Sequence, residues 1–182
     1  RKENMQEGIK MPIKIEVKMD SESMAEFMIY HIYTGTSGIL ALVLGFLNVG
    51  FTISFVMRGN YLLAGVFLIF AAVILFLFPR FIKKSVTKQM ENSKLTNPVI
   101  YEFDENGVRT KAEDDEEGKF LAWSGFKKAI SRKRIVILYD TQKRAVILPI
   151  EQMGEHYAAV TDLIAAKMPA SAVRIRRGDG KK

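Results

Sequence analysis

The stretch FVMRGNYLLAG, residues 55–65, places an arginine, a glycine and an asparagine between two long apolar runs. Apart from Arg58, residues 32–79 contain no charged side chain. A helix needs about 20 apolar residues to cross a hydrocarbon core of about 30 Å, a length that residues 37–57 and 61–78 approach or reach. One continuous helix would place Arg58 deep in lipid, which is costly. The sequence therefore predicts two antiparallel transmembrane helices.

Residues 58–60 have the chemistry of a turn between two helices. Gly59 can adopt the left-handed conformation that ends a helix, and Asn60 can cap the next helix by accepting from a backbone N–H. The alternative is a buried helical hairpin in a soluble core. That alternative is disfavoured because so small a polar remainder cannot cover two helices that are apolar all round. Residues 58–60 are therefore predicted to form an extracytoplasmic turn.

Basic residues near the ends of the spans predict the orientation of the hairpin. Arg80, Lys83, Lys84 and Lys88 follow the second span, whereas the turn contains only Arg58. Short cytoplasmic flanks are enriched in Lys and Arg, so the chain is predicted to be a multi-pass protein of the cell (plasma) membrane with both termini cytoplasmic. Lys83 and Lys84 are also candidate contacts to anionic lipid; alternatively, they only satisfy the topology rule.

A stripe of small and polar residues recurs at spacings of three and four along the first span. It consists of Ser37, Ala41, Gly45, Asn48 and Thr52. Small residues allow close helix approach, and Asn48 can hydrogen-bond across such a helix–helix seam. The stripe is interpreted as packing against the second span, with an oligomer contact or a substrate path as the alternatives. Neither span contains an ionisable side chain, which argues against proton-coupled or ion-coupled transport.

The segments that flank the spans carry helix signals. Residues 1–36 are predicted to contain an N-terminal strand and a juxtamembrane amphipathic helix that begins with a capping box at Ser23. Residues 79–97 are predicted to form a basic linker helix. The native start is predicted at Met5 or Met11.

Residues 98–168 are predicted to form a separate domain of short antiparallel strands. Evenly spaced strands separated by turn-rich stretches are typical of a sandwich or a barrel. A helix with one apolar face follows and is suited to cover the open end of the sheet. The predicted strands are 119–123, 126–131, 134–140 and 144–150, and the predicted helix is 155–167.

The first hairpin of this domain is predicted from the sequence VIYEFDENGVRTKA. Its Asn-Gly pair, residues 106–107, is the preferred two-residue hairpin turn because both positions need positive φ. That register pairs Asp104 with Arg109 and Glu102 with Lys111 on the solvated face. The aromatic side chains of the hairpin then face a core.

YEFDENGV, AWSGFKKAI, IVILYD and AVILP together resemble the C-terminal domain of the YcxB-like family of bacterial membrane proteins. The upstream FMIYHIYT and the two-span hairpin are similar to the N-terminal half of that family, so the resemblance covers most of residues 13–168. It implies a cytoplasmic domain with a pleckstrin-homology-like (PH-like) fold, in a family without an established activity. This chain has Ile150-Glu151 after the last strand, where family members often have basic residues.

The residues and the resemblance together predict a fold class: a membrane α-helical hairpin of two transmembrane helices plus a cytoplasmic α+β domain. That domain is an antiparallel PH-like sheet or barrel capped by a C-terminal helix. Residues 169–182 are predicted to be a basic disordered tail.

No catalytic, cofactor-binding or metal-binding residue is predicted. The chain contains no cysteine, which excludes disulfides, thiolate metal sites and cysteine nucleophiles. The acidic run EDDEEG, residues 113–118, lacks the alternating ligand spacing of a calcium loop and is interpreted as a solvated loop. No phosphate-binding glycine loop, nucleophile elbow or zinc spacing occurs.

A basic cluster lies on one predicted strand and the turn after it: Lys127, Lys128, Arg132, Lys133 and Arg134. Beneath a membrane such a cluster can contact anionic lipid or an acidic protein. The alternative is a solvated basic edge that discourages strand-to-strand aggregation. Nucleic acid is not predicted as a partner, because aromatic residues are not interleaved with these charges.

The functional prediction is a non-enzymatic, membrane-anchored module that binds a protein or an anionic lipid at the cytoplasmic face. Its predicted partners are membrane lipids and a protein of unknown identity, with a homo-oligomer possible and no cofactor. The alternative is a small oligomeric transport or channel subunit in which the stripe containing Asn48 serves as a path.

Overall fold

The computed structural model describes residues 12–91, 97–112, 118–142 and 144–176. The chain forms two compact units. The helical unit comprises Met24–Ser93, and the sheet unit comprises Arg1–Ser23 together with Lys94–Lys182. At this level the predicted combination of a helical hairpin and an α+β sheet domain is confirmed.

Four helices account for most of the helical unit. They are α1 (Ser21–Thr34), whose first residues belong to the sheet unit, α2 (Thr36–Met57), α3 (Tyr61–Ala72) and α4 (Phe78–Glu91). A π-helical segment, Val73–Leu77, joins α3 to α4, so Tyr61–Glu91 is one uninterrupted helical rod. Both α2 and this rod are long and apolar enough to cross a membrane, by length and composition alone.

The turn between α2 and α3 has the predicted chemistry. Gly59 has a φ of 73°, in the left-handed region that favours glycine. The Asn60 side chain caps α3 by accepting a hydrogen bond from the Leu63 backbone N–H at 3.3 Å. The local prediction for these residues is therefore confirmed.

The start of α1 differs from the predicted capping box at Ser23. The helix begins at Ser21, and the Asp20 carboxylate accepts from the Ser23 backbone N–H at 2.8 Å. Asp20 is therefore the capping residue, because aspartate caps a helix as well as serine does.

In the described part of the sheet unit, eight strands form two four-stranded sheets. The first sheet has the order β1-β2-β3-β4, and the second has the order β7-β6-β5-β8. The strands are β1 (Ile13–Val17), β2 (Val99–Phe103), β3 (Gly107–Ala112), β4 (Lys119–Ala122), β5 (Phe126–Ser131), β6 (Ile135–Asp140), β7 (Ala145–Pro149) and β8 (Val173–Arg174). Helices α5 (Ile150–Met153) and α6 (His156–Lys167) follow β7.

Strand β1 enters the sheet from before the helices. Its residues pair antiparallel with β2, from Ile13 opposite Phe103 to Val17 opposite Val99. Ile15 and Val17 are buried in the core of the sheet unit. The helical hairpin is thus an insertion between the first and second strands of one sheet, and the domain predicted at residues 98–168 also needs β1.

The β2–β3 register is shifted by two residues from the predicted one. Glu102 lies opposite Arg109, where the prediction had Lys111. Because side chains alternate with a period of two, this shift leaves each residue on its predicted face. Tyr101 and Phe103 accordingly point into the core.

The physical reason for the shift is a different turn. The Asp104 carboxylate accepts from the backbone N–H groups of Asn106 and Gly107 at 2.7 and 2.9 Å. Gly107 does not have a positive φ; instead, a Cβ there would lie 2.2 Å from the Leu121 carbonyl oxygen. The Trp123 indole N–H donates to the Asp104 carbonyl at 2.9 Å. Glycine is therefore required at 107 by the close approach of β4.

The predicted disordered tail is partly wrong, because residues 170–176 are ordered. Val173 and Arg174 form β8, which pairs parallel to β5. The Arg176 backbone N–H donates to the Ser131 hydroxyl at 2.8 Å, and its carbonyl accepts from the Tyr157 hydroxyl at 3.2 Å. Val173 also packs against the core, so an apolar residue among the basic ones holds this segment to the sheet. Residues 177–182 lie outside the described part of the chain.

The core of the sheet unit lies between the two sheets and α6. Val160 and Ile164 of α6 are fully buried and belong to the same cluster as Phe103 and Leu138. The predicted apolar face of this helix is therefore confirmed.

Candidate functional site

The predicted basic cluster lies on the β5–β6 hairpin of the sheet unit. The Arg132 backbone N–H donates to the Ile135 carbonyl at 2.7 Å, which closes a tight turn with Lys133 and Arg134 at its tip. We call Arg132, Lys133 and Arg134 the basic turn; all three side chains are exposed.

The two lysines of the cluster lie on β5 itself. A bulge interrupts the β5–β6 ladder between Phe126 and Lys128. Lys127 is exposed there and Lys128 is half-buried. One hairpin thus carries all five residues of the predicted cluster.

Acidic groups lie beside the basic turn. The Arg134 guanidinium contacts the Glu22 carboxylate at 2.6 Å, and both side chains are 50% exposed. An adjacent groove of about 270 Å³ is lined by Asp20 and Glu151 as well as by Lys133 and Arg134. The surface is therefore mixed in charge, and its positive potential is weaker than the sequence cluster suggests.

Lys83 and Lys84 are exposed on α4 of the helical unit. The buried residues of that helix are Ile82, Val86 and Met90; Lys83 lies at the margin of the buried side and Lys84 lies on the opposite side. The predicted contact residues are thus divided between the two units.

The predicted stripe on α2 contains one residue in tight contact with the second rod. A Cβ at Gly45 would lie 2.5 Å from Leu75 Cδ2 and 3.3 Å from Ile74 Cγ2. Ala41, Asn48 and Thr52 are half-buried on the same face. Gly45 therefore permits the close approach of the π-helical segment.

The polar side chains of the stripe bond within their own helix. The Asn48 amide donates to the Leu44 carbonyl at 2.7 Å, and the Thr52 hydroxyl donates to the Asn48 carbonyl at 2.8 Å. The predicted hydrogen bond from Asn48 across the seam is therefore not formed. In an apolar segment the carbonyl one turn earlier is the nearest acceptor for such a group.

Three phenylalanines in the helical unit were missed by the sequence reasoning. Phe67 of α3 packs against Phe51 and Phe55 of α2, with ring centroids 5.1 and 5.4 Å apart. The signal was the position of Phe55, which continues the small-residue stripe at helical spacing.

A cavity of about 500 Å³ lies between the two sheets of the sheet unit. Its walls combine apolar side chains with Tyr101, Thr110, Lys119, Asp140 and Arg144. Sequence reasoning missed it because the cavity depends on how the two sheets pack together, which no local pattern identifies. The inward alternation of Thr110 and Lys119 was the available signal.

Asp140 and Arg144 form a hydrogen-bonded ion pair in the wall of this cavity. Asp140 Oδ1 accepts from the backbone N–H groups of Gln142 and Arg144, both at 2.8 Å. Arg144 Nε donates to Asp140 Oδ2 at 2.6 Å. Burial alone would raise the pKa of Asp140, but these hydrogen bonds and the Arg144 charge hold the pKa below its ordinary value.

Among the described residues, no group of three or more His, Cys, Asp or Glu side chains is arranged to hold a metal ion. Residues 113–117 of the acidic run lie outside the described part, so their predicted role as a solvated loop stays a prediction. The same holds for the predicted start at Met5 or Met11.

No protein-family model matches this chain, and neither the curated proteins nor the solved structures compared with it give a significant match. The resemblance to the YcxB-like family therefore stays a prediction.

Proposed function

We propose that this chain is an integral membrane protein in which α2 and the Tyr61–Glu91 rod cross the bilayer. The observation that carries the proposal is the exposure of their apolar side chains. In the most apolar 18-residue stretch of each helix, only 6% of α2 and 11% of the rod is buried. A core helix of a soluble protein would be mostly buried, whereas contiguous exposed apolar surface needs a bilayer or a partner to cover it.

The pairing of β1 with β2 supports an even number of crossings. The chain leaves the sheet at Val17 and returns to the neighbouring strand at Val99. Both ends of the inserted hairpin must therefore reach the same side of a membrane. Two spans meet this condition, and one span or three would not.

The basic flanks support a cytoplasmic position for the sheet unit. Arg80, Lys83, Lys84 and Lys88 follow the second span, and only Arg58 lies in the opposite turn. By the positive-inside rule both termini are cytoplasmic. The succession of seven antiparallel strands in two sheets and a following helix supports a PH-like domain of the YcxB-like type.

In this proposal the sheet unit is a non-enzymatic module that binds an anionic partner, a lipid headgroup or an acidic protein surface. The basic turn is its contact surface, because three consecutive exposed cations project from one hairpin. No described contact favours the alternative of a transport or channel subunit, since Asn48 and Thr52 bond to their own helix.

The topology is tested by cysteine labelling. The chain has no cysteine, so Arg58→Cys and Ser124→Cys each introduce a unique thiol. In intact cells a membrane-impermeant maleimide should label the Arg58→Cys variant, and the Ser124→Cys variant should react only after permeabilisation. Equal labelling of both variants in intact cells would reject the proposed orientation.

Binding is tested with the full-length protein purified in native lipid particles. Anionic lipids or an acidic protein should be enriched with the wild type and lost with Arg132→Glu combined with Lys133→Glu. The control is a charge reversal of Lys111, which is exposed on β3 and should keep the partner. Enrichment of lipids and enrichment of a protein separate the two partner classes. An unchanged composition in the double variant would remove the basic turn as the contact surface.

A further inference from the structure

The inter-sheet cavity lies where the two sheets leave strands unpaired. In the described part of the chain, β4 pairs only with β3 and β7 pairs only with β6. Lys119 and Leu121 of β4 and Val146 of β7 line the cavity between these two edges. A gap of this kind gives access to the interior of the sheet unit without any change in its hydrogen-bonded ladders.

Three polar side chains form a row across the cavity wall of the first sheet. Tyr101 of β2 lies opposite Thr110 of β3, and Thr110 lies opposite Lys119 of β4. Cross-strand partners project to the same face of a sheet, and all three side chains line the cavity. The row offers two hydroxyl groups and an ammonium group, ordered from the interior towards the edge.

Tyr101 is the most deeply placed member of this row. It is 9% exposed as a whole residue, and it lines the cavity. Burial raises its pKa above the ordinary tyrosine value, so the hydroxyl is protonated at neutral pH and can donate.

The second sheet contributes a cation whose charge is only partly used. Arg144 bonds to Asp140 through its backbone N–H and Nε, and a guanidinium has further N–H donors on its two terminal nitrogens. Asp140 already accepts three hydrogen bonds. Lys119 makes no ion pair with any residue that the structure describes. Lys119 and Arg144 are both exposed, so they lie at the open side of the cavity. There the described lining carries two cations, one of them paired, against one carboxylate, and this excess of positive charge favours an anion.

The remaining wall is apolar. Val108, Phe126, Leu138 and Val146 line the cavity together with Leu121. A volume of about 500 Å³ falls within the range of roughly 300–1,000 Å³ that is typical of small-molecule sites. A few polar groups on one side of an apolar cavity are the usual composition of such sites.

We propose that this cavity binds a small amphiphilic anion: a carboxylate or phosphate group attached to a short apolar chain or ring. The anionic group lies against the row of Tyr101, Thr110 and Lys119 and the terminal nitrogens of Arg144. The apolar part packs between Leu121 and Leu138. The ligand comes either from the bilayer, as a single-chain lipid, or from solution, as an organic acid.

A purely structural role for Lys119 leads to a different expectation. An inward-pointing lysine on an edge strand can prevent edge-to-edge pairing. In that case a change at Lys119 would alter self-association and leave ligand binding unaffected. A test of the proposal therefore measures both properties.

The experiment is calorimetric titration of the full-length protein in nanodiscs, with empty nanodiscs as the blank. The probes are octanoate, octanol as its neutral counterpart, lysophosphatidylglycerol and inorganic phosphate. We expect saturable binding of octanoate or lysophosphatidylglycerol and none of octanol or phosphate alone. Preference for the lysolipid indicates a ligand from the bilayer, and preference for octanoate indicates a soluble acid.

The variants assign the binding to this cavity. Lys119→Gln should lower the affinity for the anionic probe by about tenfold or more, and Tyr101→Phe should lower it by about two- to tenfold. These are the ranges expected for the loss of a charged and of a neutral hydrogen bond. The control is Lys111→Gln, on the opposite face of the neighbouring strand, which should bind as the wild type does. Circular dichroism and sedimentation confirm fold and association state.

Three results would overturn the proposal. The first is the absence of saturable binding for both amphiphilic anions. The second is equal affinity for octanol and octanoate, which would show an apolar cavity without anion recognition. The third is equal affinity in the Lys119→Gln and Lys111→Gln variants, which would place the binding elsewhere. All three are independent of whether the basic turn has a partner.

Discussion

In the helical unit, side chains such as Phe46 and Leu62 are 67% and 81% exposed, whereas Phe103 and Leu138 in the sheet unit have no exposed surface. Phe46 and Leu62 project from helices whose backbone hydrogen bonds are internal, which is what a bilayer allows. Phe103 and Leu138 are hidden between two sheets, as water requires. The two units therefore differ in where their large apolar side chains lie, and the bilayer is the proposed environment of the helical unit.

Polar groups are treated differently in the two units. Asn48 and Thr52 in the helical unit satisfy their side chains with carbonyls of their own helix. Among the described residues, the buried side-chain polar atom without a hydrogen-bond partner is the Tyr33 hydroxyl, which also lies in the helical unit. In the sheet unit, polar side chains such as Tyr101 and Thr110 instead line a cavity, where water or a ligand supplies their partners.

The largest expected effect tests whether the sheet unit is complete without its N-terminal strand. Residues 97–176 expressed alone should not fold, because β1 buries Ile15 and Val17 and each such side chain contributes about 1.5–3 kcal/mol. Joining residues 12–20 to residue 97 through a short Gly-Ser linker should restore the fold. Far-UV circular dichroism and amide NMR dispersion provide the measurement. A cooperative fold of residues 97–176 without β1 would contradict the prediction.

The origin of β1 shows which parts of the fold were predictable. The turn at Gly59 and Asn60 followed from local chemistry, because each residue satisfies a helix end beside it. The partner of β1 lies beyond the whole helical hairpin, and no local pattern identifies it. The predicted domain boundary at residue 98 therefore divided one sheet.

The predicted register of the β2–β3 hairpin was wrong for a related reason. Asn106-Gly107 is a strong local signal, but the turn is set by contacts with Leu121 and Trp123. The polar row of the cavity depends on that register. The basic turn, by contrast, is contiguous in sequence, so its residues could be named even though its acidic neighbours could not.

The next largest effect is expected from alanine substitutions at two glycines, one in each unit. Gly107→Ala should destabilise the sheet unit by about 1–3 kcal/mol, the usual cost of overpacking, because its Cβ would meet the Leu121 carbonyl oxygen. Gly45→Ala should cost less, since its Cβ would meet the end of the Leu75 side chain, which can rotate away.

Denaturant unfolding of the full-length protein, followed through Trp123 for the sheet unit and through helix content for the helical unit, measures both changes. Gly65→Ala is the control in the helical unit, because nothing lies within 4 Å of a Cβ at that position. A larger loss for Gly45→Ala than for Gly107→Ala would show that the side-chain contact is the more rigid one.

A smaller effect concerns the pH dependence of the sheet unit. Burial tends to raise the pKa of Asp140, but its bonds to Arg144 and Gln142 hold it below the ordinary value. The stabilisation is therefore complete above pH about 4, the unfolded pKa of aspartate, and is lost as the pH falls through the lower folded pKa. Asp140→Asn should flatten the decline of the melting temperature with acid in this range. Parallel curves for the two proteins would contradict the assignment.

The smallest expected effect is the coupling between Glu22 and Arg134 beside the basic turn. Both side chains are half exposed, and exposed ion pairs contribute about 0.2–1 kcal/mol. A double-mutant cycle with Glu22→Gln and Arg134→Gln should give a coupling in this range that shrinks as salt is added.

The comparison pair is Lys14 and Glu102 across β1 and β2, at 2.7 Å, where the carboxylate is only 26% exposed. Its coupling should be the larger and the less sensitive to salt, because burial reduces screening. If the Glu22–Arg134 coupling were instead the stronger, the acidic neighbours would hold the basic turn too firmly for it to exchange them for an anionic partner.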